Sequence, residues 1–458
     1  MGKGQGRNRK LSEVVAEQML EEIKARGWPA GESIGNEAEL IEKYGVSRAT
    51  LVEATRQVES HGAAVMRRGS GGGLFVQGSA ISASSRLLST FLELSDVSIG
   101  EIYEAARILE TESARQAARF ADEDAVSRLR KLAEELSQTS DRVELHRKAM
   151  QLRFAIAETT GSRALTLMMR ALARVITSYV RPDLNRGLRD RRFEHQVAAD
   201  MLAIVESIVA RDQWLADNHT RRDVDRREER ARLMAVRQAD LSGGPLLKES
   251  PSKLAEQTAL AVRNDIAANG WRVGERVANE SELPDRYGVS QWTIRQAIRM
   301  LELHGVVVAR RGQGGGLFVG SPDPTFALES AVQFLDGDTL LSQSAPLVHR
   351  RIFESLVQIG TLRASSAQRD ALVELASSSK PALQPFLEQI VAMSGNRVLA
   401  LFAGISGKLI SYEHSLDPAG LNSVAQAVAK FDAAYARRLL GDYLYDNGPE
   451  NTLRNSAA

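Results

Sequence analysis

The segment NEAELIEKYGVSRATLVEATRQVES, residues 36–60, decides the fold. Asn36 is followed three residues later by Glu39, and this capping-box spacing predicts the start of a helix. Gly45 permits a tight turn after that helix, and Ser47 can cap the next one. Two short helices joined by a glycine-containing turn form a helix-turn-helix.

The residues on either side of this segment complete a winged helix. Upstream, Leu11, Val15 and Met19 recur every four residues, which predicts an amphipathic helix that ends near Gly27. Downstream, a short apolar strand leads into the basic segment RRGSGGG at 67–73 and then into Leu-Phe-Val, which is typical of a β-hairpin. In such a module the third helix fits the major groove of DNA, and the hairpin tip reaches phosphates or the minor groove.

The whole module occurs twice. Residues 10–76 align without a gap on residues 253–319, an offset of 253 − 10 = 243, and about half of the aligned positions are identical. The second copy repeats the capping-box spacing at Asn279 and Glu282. A repeat of this length organises the chain. We therefore predict a mainly α protein with two winged helix-turn-helix domains, each followed by an all-α helical bundle.

The length of 458 residues also favours several domains, because it exceeds what one hydrophobic core organises. The predicted units are a first winged helix at 1–78, a helical effector-type domain at 79–240, a linker at 241–250, a second winged helix at 251–320 and a shorter helical domain at 321–458.

The composition narrows the class of protein. With 43% hydrophobic and 26% charged residues the chain is typical of a folded protein, and the absence of Cys excludes disulfides, thiolate metal sites and a Cys nucleophile. A net charge of +1 means that DNA binding must come from local basic patches. The basic N-terminus does not lead into a secretion signal, and no apolar run approaches the ~20 residues of a membrane span. We expect a cytoplasmic protein.

These motifs resemble the GntR family of bacterial regulators. The order of domains resembles its FadR-type branch, in which a helical effector-binding domain (FCD) follows the winged helix. The resemblance is most specific at GVSR, residues 45–48, and at GGGLFV, residues 71–76. It implies a transcription regulator, a repressor on family grounds, that binds double-stranded operator DNA and a small-molecule effector. No enzyme motif such as a P-loop or a nucleophile elbow is present, so we predict no enzyme. The alternative is a regulator-derived scaffold without specific DNA binding.

The two recognition helices differ where the family reads bases. The first copy keeps Arg48 and Arg56 but has Val52 where the family's second arginine sits. The second copy has Gln291 at the first position and keeps Arg295 and Arg299. Because Arg suits guanine and Gln suits adenine, we predict that the two heads prefer different half-sites.

The predicted DNA contacts comprise helix caps, recognition-helix side chains and wing residues. In the first head they are Asn36, Ser47, Arg48, Thr50, Arg56, His61, Arg67, Arg68, Ser70 and Gly71. In the second head they are Asn279, Ser290, Gln291, Trp292, Thr293, Arg295, Arg299, His304, Arg310, Arg311 and Gln313. Trp292 either touches thymine methyl groups or packs on a neighbouring domain.

The first helical region resembles the family's effector domain at Ile99–Glu110 and at the turn Ala157–Ser162. Many relatives hold a metal there through Asp-x-x-x-His and two later His residues. The corresponding positions are Ala149, Arg153, His195 and His219. Since two of the four ligands are lost, we expect no metal and no other cofactor; His195 and His219 are the remaining metal candidates, and His146 or Asp141 the possible substitutes.

An organic anion is the predicted effector. Arg153 and Arg107 would form the cationic end of its pocket, with His195 and His219 nearby, and would suit a carboxylate or an acyl thioester. In the alternative, Arg107 pairs with Glu104 or Glu110, and the histidines are ordinary polar residues.

The second helical region lacks these groups. Its corresponding positions are Leu383, Leu387, Leu421 and Asp442, so we predict no metal and no effector there. We expect it to pair with the first bundle. One chain would then form a pseudo-dimer with two heads, and a homodimer of chains would present four.

Overall fold

The computed structural model describes residues 11–60, 62–67, 69, 71–78, 80–95, 97–185, 191–239, 251–310, 312, 314–335, 341–378, 382–410 and 417–448. The predicted linker at 241–250 lies outside the described residues. Within these ranges, none of the helices has the length and apolar character needed to span a membrane.

The first head contains three helices and a small antiparallel sheet with strand order β1-β3-β2. Its elements are α1 (Leu11–Ala25), β1 (Ser33–Gly35), α2 (Glu37–Tyr44), α3 (Arg48–Ser60), β2 (Ala64–Arg67) and β3 (Gly73–Val76). The predicted capping box is present, because Asn36 Oδ1 accepts hydrogen bonds from the N–H groups of Ala38 and Glu39, both at 3.0 Å. Gly45 ends α2 at φ 62°. The structure adds β1 to the predicted hairpin.

The first bundle is entirely helical in the described residues. Its elements are α4 (Ala80–Leu94), α5 (Ile99–Phe120), α6 (Glu123–Ser137), α7 (Arg142–Thr159), α8 (Arg163–Asn185), α9 (Arg191–Val209) and α10 (Gln213–Ala239). The turn between α7 and α8 is the one that the sequence motif predicts, and Gly161 takes the left-handed φ of 69° there.

The second head repeats the first, with strand order β4-β6-β5. Its elements are α11 (Pro251–Ala268), β4 (Arg276–Ala278), α12 (Leu283–Tyr287), α13 (Gln291–Leu303), β5 (Val307–Arg310) and β6 (Gly316–Val319).

One local prediction for the second head is wrong. Asn279 does not cap α12, which begins only at Leu283 and has no side-chain cap. The cause is Pro284, which replaces Ile41 of the first head and is tolerated only in the first turn of a helix. The Asn279 amide instead donates to the Glu282 carboxylate at 2.5 Å.

The second bundle is also helical throughout its described residues. Its elements are α14 (Thr325–Leu335), α15 (Leu341–Arg363), α16 (Ser366–Ser377), α17 (Leu383–Ser394), α18 (Arg397–Lys408), α19 (Pro418–Ala429) and α20 (Ala433–Asp446).

The two bundles share one hydrophobic core. Leu88 and Met168 of the first bundle and Phe353 and Phe402 of the second belong to the same buried cluster. Polar contacts surround it: Arg351 Nε lies 3.2 Å from Glu112, and Arg397 lies 2.8 Å from Glu101. The bundles therefore pack as the sequence analysis expects.

Glu101 shows how closely the bundles are joined. Burial would raise the pKa of its carboxyl, but hydrogen bonds from Arg397 and Ser98 outweigh burial and lower the pKa to about 2. Asn396 also donates to the Glu101 carbonyl oxygen at 3.1 Å.

Helix α4 supports both heads. Its residue Leu87 belongs to the core of the first head, and Leu94 belongs to the core of the second. Helix α14 packs beside α4, and its Phe326 contacts the core of the first head. A displacement of α4 would therefore reach both DNA-binding heads.

Candidate nucleic-acid interface and ligand cavity

The recognition helix of the first head presents two arginines to solvent. Ser47 Oγ accepts a hydrogen bond from the Thr50 N–H at 3.2 Å and so caps the start of α3. The Arg48 side chain is 76% exposed and its Nε donates to the Glu37 carboxylate. Arg56, two turns further along, is also exposed.

The second head presents a different set. Ser290 caps α13 through the Thr293 N–H at 3.2 Å. Gln291 and Arg299 are exposed, and the Arg295 side chain is 63% exposed. Trp292 is 54% exposed and belongs to none of the hydrophobic clusters of the described residues.

Two predicted DNA contacts of the second head are wrong. Thr293 is buried, and a hydrogen bond of 2.8 Å joins its hydroxyl to that of Ser290. His304 is buried between Phe91 of α4 and Phe326 of α14, with ring centroids 5.9 and 6.1 Å apart. Burial lowers the pKa of His304 to about 4, so it is neutral at neutral pH. It belongs to the joint between head and bundle, at the end of α13 and directly before the hairpin.

The wings of the two heads share one geometry. The Arg67 guanidinium lies 4.3 Å from the ring centroid of Phe75, and that of Arg310 lies 4.3 Å from Phe318. Each guanidinium thus makes a cation–π contact with a ring on the neighbouring strand of its hairpin. Gly71 has a left-handed φ of 80°, which the tight tip requires. The predicted contacts His61, Arg68, Ser70, Arg311 and Gln313 lie outside the described residues.

The predicted caps Asn36 and Asn279 lie at the start of α2 and just before the turn that leads into α12. Asn36 is exposed, and its Oδ1 accepts the two hydrogen bonds of the cap. Asn279 is half-buried and bonds to Glu282.

A cavity of about 80 Å³, partly open to solvent, lies in the first bundle. Helices α5, α7, α8, α9 and α10 contribute to its wall. Its polar lining is dominated by arginines, and its apolar lining includes Leu145, Ala149, Ile176 and Val197. The charged and polar side chains at the cavity are Tyr103, Arg142, His146, Arg153, Glu194, Arg227 and Arg230.

A buried ion cluster forms one end of this cavity. Arg153 Nη2 donates to both carboxylate oxygens of Asp223, at 3.1 and 2.9 Å, and Arg227 Nε donates to Asp223 at 2.9 Å. Arg227 also bonds to Glu110, and all four side chains are at most 10% exposed. Burial would raise the pKa of Asp223, but the charges of Arg153 and Arg227 outweigh burial and lower it.

His146 is a neutral hydrogen-bonding group beside the cluster. Burial and the charges of Arg153, Arg227 and Arg142 lower its pKa to about 4. Its Nε2 lies 3.4 Å from Thr177 Oγ1.

Of the four predicted effector residues, the structure places only Arg153 at the cavity. Arg107 instead bonds to Asp225 and Glu228, both at 2.8 Å, and not to the Glu104 or Glu110 named in the alternative. His195 is exposed. His219 Nδ1 lies 3.0 Å from Ser207 Oγ.

The groups at the family's metal positions do not fit a metal ion. Ala149 has no donor atom, and the Arg153 guanidinium places a positive charge where a cation would sit. Among the described residues, no group of three or more His, Asp or Glu side chains is arranged to hold a metal.

Asp223, Arg227 and Arg230 are not among the predicted site residues. Their spacing of four and then three residues places them on one face of α10, which was the available signal. That signal is weak because α10 is rich in arginine, and most charged helix faces are simply exposed to solvent.

Two winged helix-turn-helix heads, each joined to a helical bundle, are an architecture of winged-helix regulators. Comparison with sequence families agrees. The family described as "Bacterial regulatory proteins, gntR family" matches residues 11–74 and 254–318, and the FCD domain matches residues 101–226. The chain thus contains two DNA-binding domains of the gntR family and one FCD domain.

Curated relatives match over shorter stretches. The histidine utilization repressor of Klebsiella aerogenes is 35% identical over 81 residues, which are 18% of this chain and 33% of that protein. The Exu regulon transcriptional regulator of Escherichia coli strain K12 is 30% identical over 105 residues, 23% of this chain and 41% of that protein. The chain thus spans less than half the length of these relatives.

A solved structure, Streptococcus agalactiae GntR, superposes with a TM-score of 0.37 at 18% identity and covers 48% of this chain and 99% of that one. This likeness is too distant to support an argument.

Proposed function

We propose that the protein is a transcription regulator that binds operator DNA specifically with both heads of one chain and releases it when a small organic anion enters the first bundle. The observation that carries this proposal is the shared support of the heads: Leu87 and Leu94 of α4 enter their two cores. Each head exposes its own recognition helix.

The pairing of the bundles supports a pseudo-dimer within the chain. Winged-helix regulators commonly use a two-fold assembly to read two half-sites. Here the joined bundles bring both heads into one body, with ion pairs such as Arg397 to Glu101 holding the halves together. Binding of one chain to two half-sites follows, and a homodimer of chains would occupy a longer operator.

The proposed effector is an organic anion such as a carboxylate or an acyl thioester, bound without a metal. Four arginines place positive charge at the cavity, and Asp223 and Glu110 already pair with two of them, Arg153 and Arg227. A guanidinium matches a carboxylate, and neutral His146 adds a further hydrogen-bonding group. The apolar wall suits a hydrocarbon portion of the ligand.

Release of DNA requires that the effector prefer one position of the heads. Ile176 of α8 lines the cavity, and α8 packs along α4, which supports both heads. A ligand that shifts α8 therefore shifts α4. Repression is the mode that we propose, in keeping with the repressors among the relatives.

Filling the cavity should separate effector response from DNA binding. Ala149→Phe places a ring in the cavity, far along the chain from both recognition helices. We expect an organic acid that stabilises the wild-type protein, by about 2.7 kcal/mol at one hundred times its Kd, to lose its effect on the variant. Thermal unfolding with a panel of carboxylates and their neutral amides measures this, and unchanged operator binding is the control. A variant that still responds would place the effector elsewhere.

Footprinting and a salt titration test the proposal as a whole. One chain with two engaged heads should protect two half-sites in the region upstream of its own gene, whereas four heads should protect a longer stretch. With roughly 6–10 phosphate contacts, the affinity should fall about 10³- to 10⁵-fold between ~50 and ~200 mM salt. A protein with no preference for this region over random DNA would instead be a scaffold.

A further inference from the structure

We infer that Glu280 is a specificity-determining residue of the second head, whose carboxylate orients Gln291 and Arg295 for reading bases. The inference rests on the proposed DNA-binding function. Glu280 lies in the turn that precedes α12, and its role is to position the side chains that touch the bases.

One carboxylate oxygen holds both recognition side chains. Glu280 Oε1 accepts a hydrogen bond from Gln291 Nε2 at 3.0 Å and another from Arg295 Nε at 3.1 Å. Gln291 and Arg295 are four residues apart on α13, so they lie one above the other on the same face. All three side chains are exposed, which places the assembly at the surface that would face the major groove.

The bond to Gln291 determines which way its amide points. An amide nitrogen carries two N–H groups, and Glu280 takes one of them. The second N–H and the amide oxygen stay available, and together they match N7 and the N6 amino group of adenine. Without the carboxylate, the amide would be free to turn over and would lose this preference.

The bond to Arg295 has the same effect on a guanidinium. Nε is used by Glu280, and the two terminal nitrogens remain for O6 and N7 of guanine. The carboxylate therefore selects, from the many geometries of a long side chain, one that suits a bidentate contact.

The first head has a simpler version of this arrangement. Glu37 occupies the position equivalent to Glu280 and bonds to Arg48, but Val52 stands where Arg295 stands in the second head. In the first head Glu37 thus orients a single arginine. In the second head Glu280 orients both Gln291, for adenine, and Arg295, for guanine.

Removing the carboxylate should raise the affinity for random DNA and lower the preference for the operator. Exposed ion pairs contribute little to folding, so Glu280→Ala should unfold at the same temperature as the wild type. Loss of a negative charge near phosphates should increase the affinity for random DNA. Loss of orientation should lower the ratio of operator to random affinity by about tenfold, because two mobile side chains must then be ordered on binding.

Fluorescence anisotropy of the full chain measures both affinities, with the footprinted upstream fragment as operator and a shuffled duplex of the same length. Asp285→Ala is the matched control, since Asp285 is also acidic and exposed in this head, and none of the described hydrogen bonds joins it to a recognition side chain. It should raise both affinities equally and leave the ratio unchanged.

Glu280→Asp separates charge from position. Its shorter carboxylate keeps the charge but cannot hold both partners, so it should lower the ratio without any gain on random DNA. In addition, Glu280→Ala combined with Gln291→Ala should cost less than the sum of the single changes. An unchanged ratio in Glu280→Ala, or full additivity, overturns the inference while leaving DNA binding intact. A wild-type ratio near one overturns the proposed function as well.

Discussion

Replacing Asp223 with alanine is expected to destabilise the first bundle by about 3–5 kcal/mol. Asp223 is 1% exposed and accepts hydrogen bonds from both Arg153 and Arg227. Its loss leaves two guanidinium groups buried with Glu110 as their remaining carboxylate. An uncompensated buried charge is far more costly than the loss of an exposed ion pair.

Urea unfolding of the full chain, followed by circular dichroism, measures the loss. Asp225→Ala is the matched control, because Asp225 lies two residues away on α10, is 53% exposed and pairs with Arg107. It should cost less than about 1 kcal/mol. Equal losses in the two variants would show that the buried cluster contributes no more than a surface pair.

The same cluster predicts how stability depends on pH. Since the pKa of Asp223 is lower in the folded protein, its contribution is complete above its unfolded pKa of about 3.9 and is lost as pH falls through the folded value. The wild type should therefore lose more stability on acidification than Asp223→Ala does.

The sequence predicts the heads well because their signals are local. Gly45, Ser47 and the glycine-rich tip each act on neighbouring backbone, so their spacing alone indicates turns and caps. The effect of Pro284 on the start of α12 is also local and can be read from the sequence. The prediction of a cap at Asn279 followed the first head instead.

The joint and the cavity were not predictable in this way, because they depend on distant contacts. His304 has the neighbours of a wing residue in the sequence, but Phe91 and Phe326 from two other helices enclose it. Asp223, which accepts the hydrogen bonds of Arg153, lies 70 residues away on α10. No periodicity within one helix shows which arginine a later helix will neutralise.

Arg48→Ala and Arg295→Ala are expected to weaken operator binding at different base pairs. Each arginine is exposed at the start or middle of its recognition helix and is oriented by a carboxylate, Glu37 or Glu280. A bidentate contact with guanine is worth about 1–3 kcal/mol, so each variant should lose roughly 10- to 100-fold in affinity. Because the heads differ at Val52 and Gln291, the losses should fall in separate half-sites.

Systematic base-pair substitution in the operator distinguishes divided reading from a general loss of charge. Arg48→Ala should become insensitive to changes in one half-site and Arg295→Ala to changes in the other, while each keeps full sensitivity elsewhere. Val52→Arg is the complementary variant: it restores the family residue in the first head and should create a new guanine preference there. If both alanine variants weaken binding equally at every operator position, the arginines act only as phosphate-binding charges. The asymmetry between the heads would then have no counterpart in the operator.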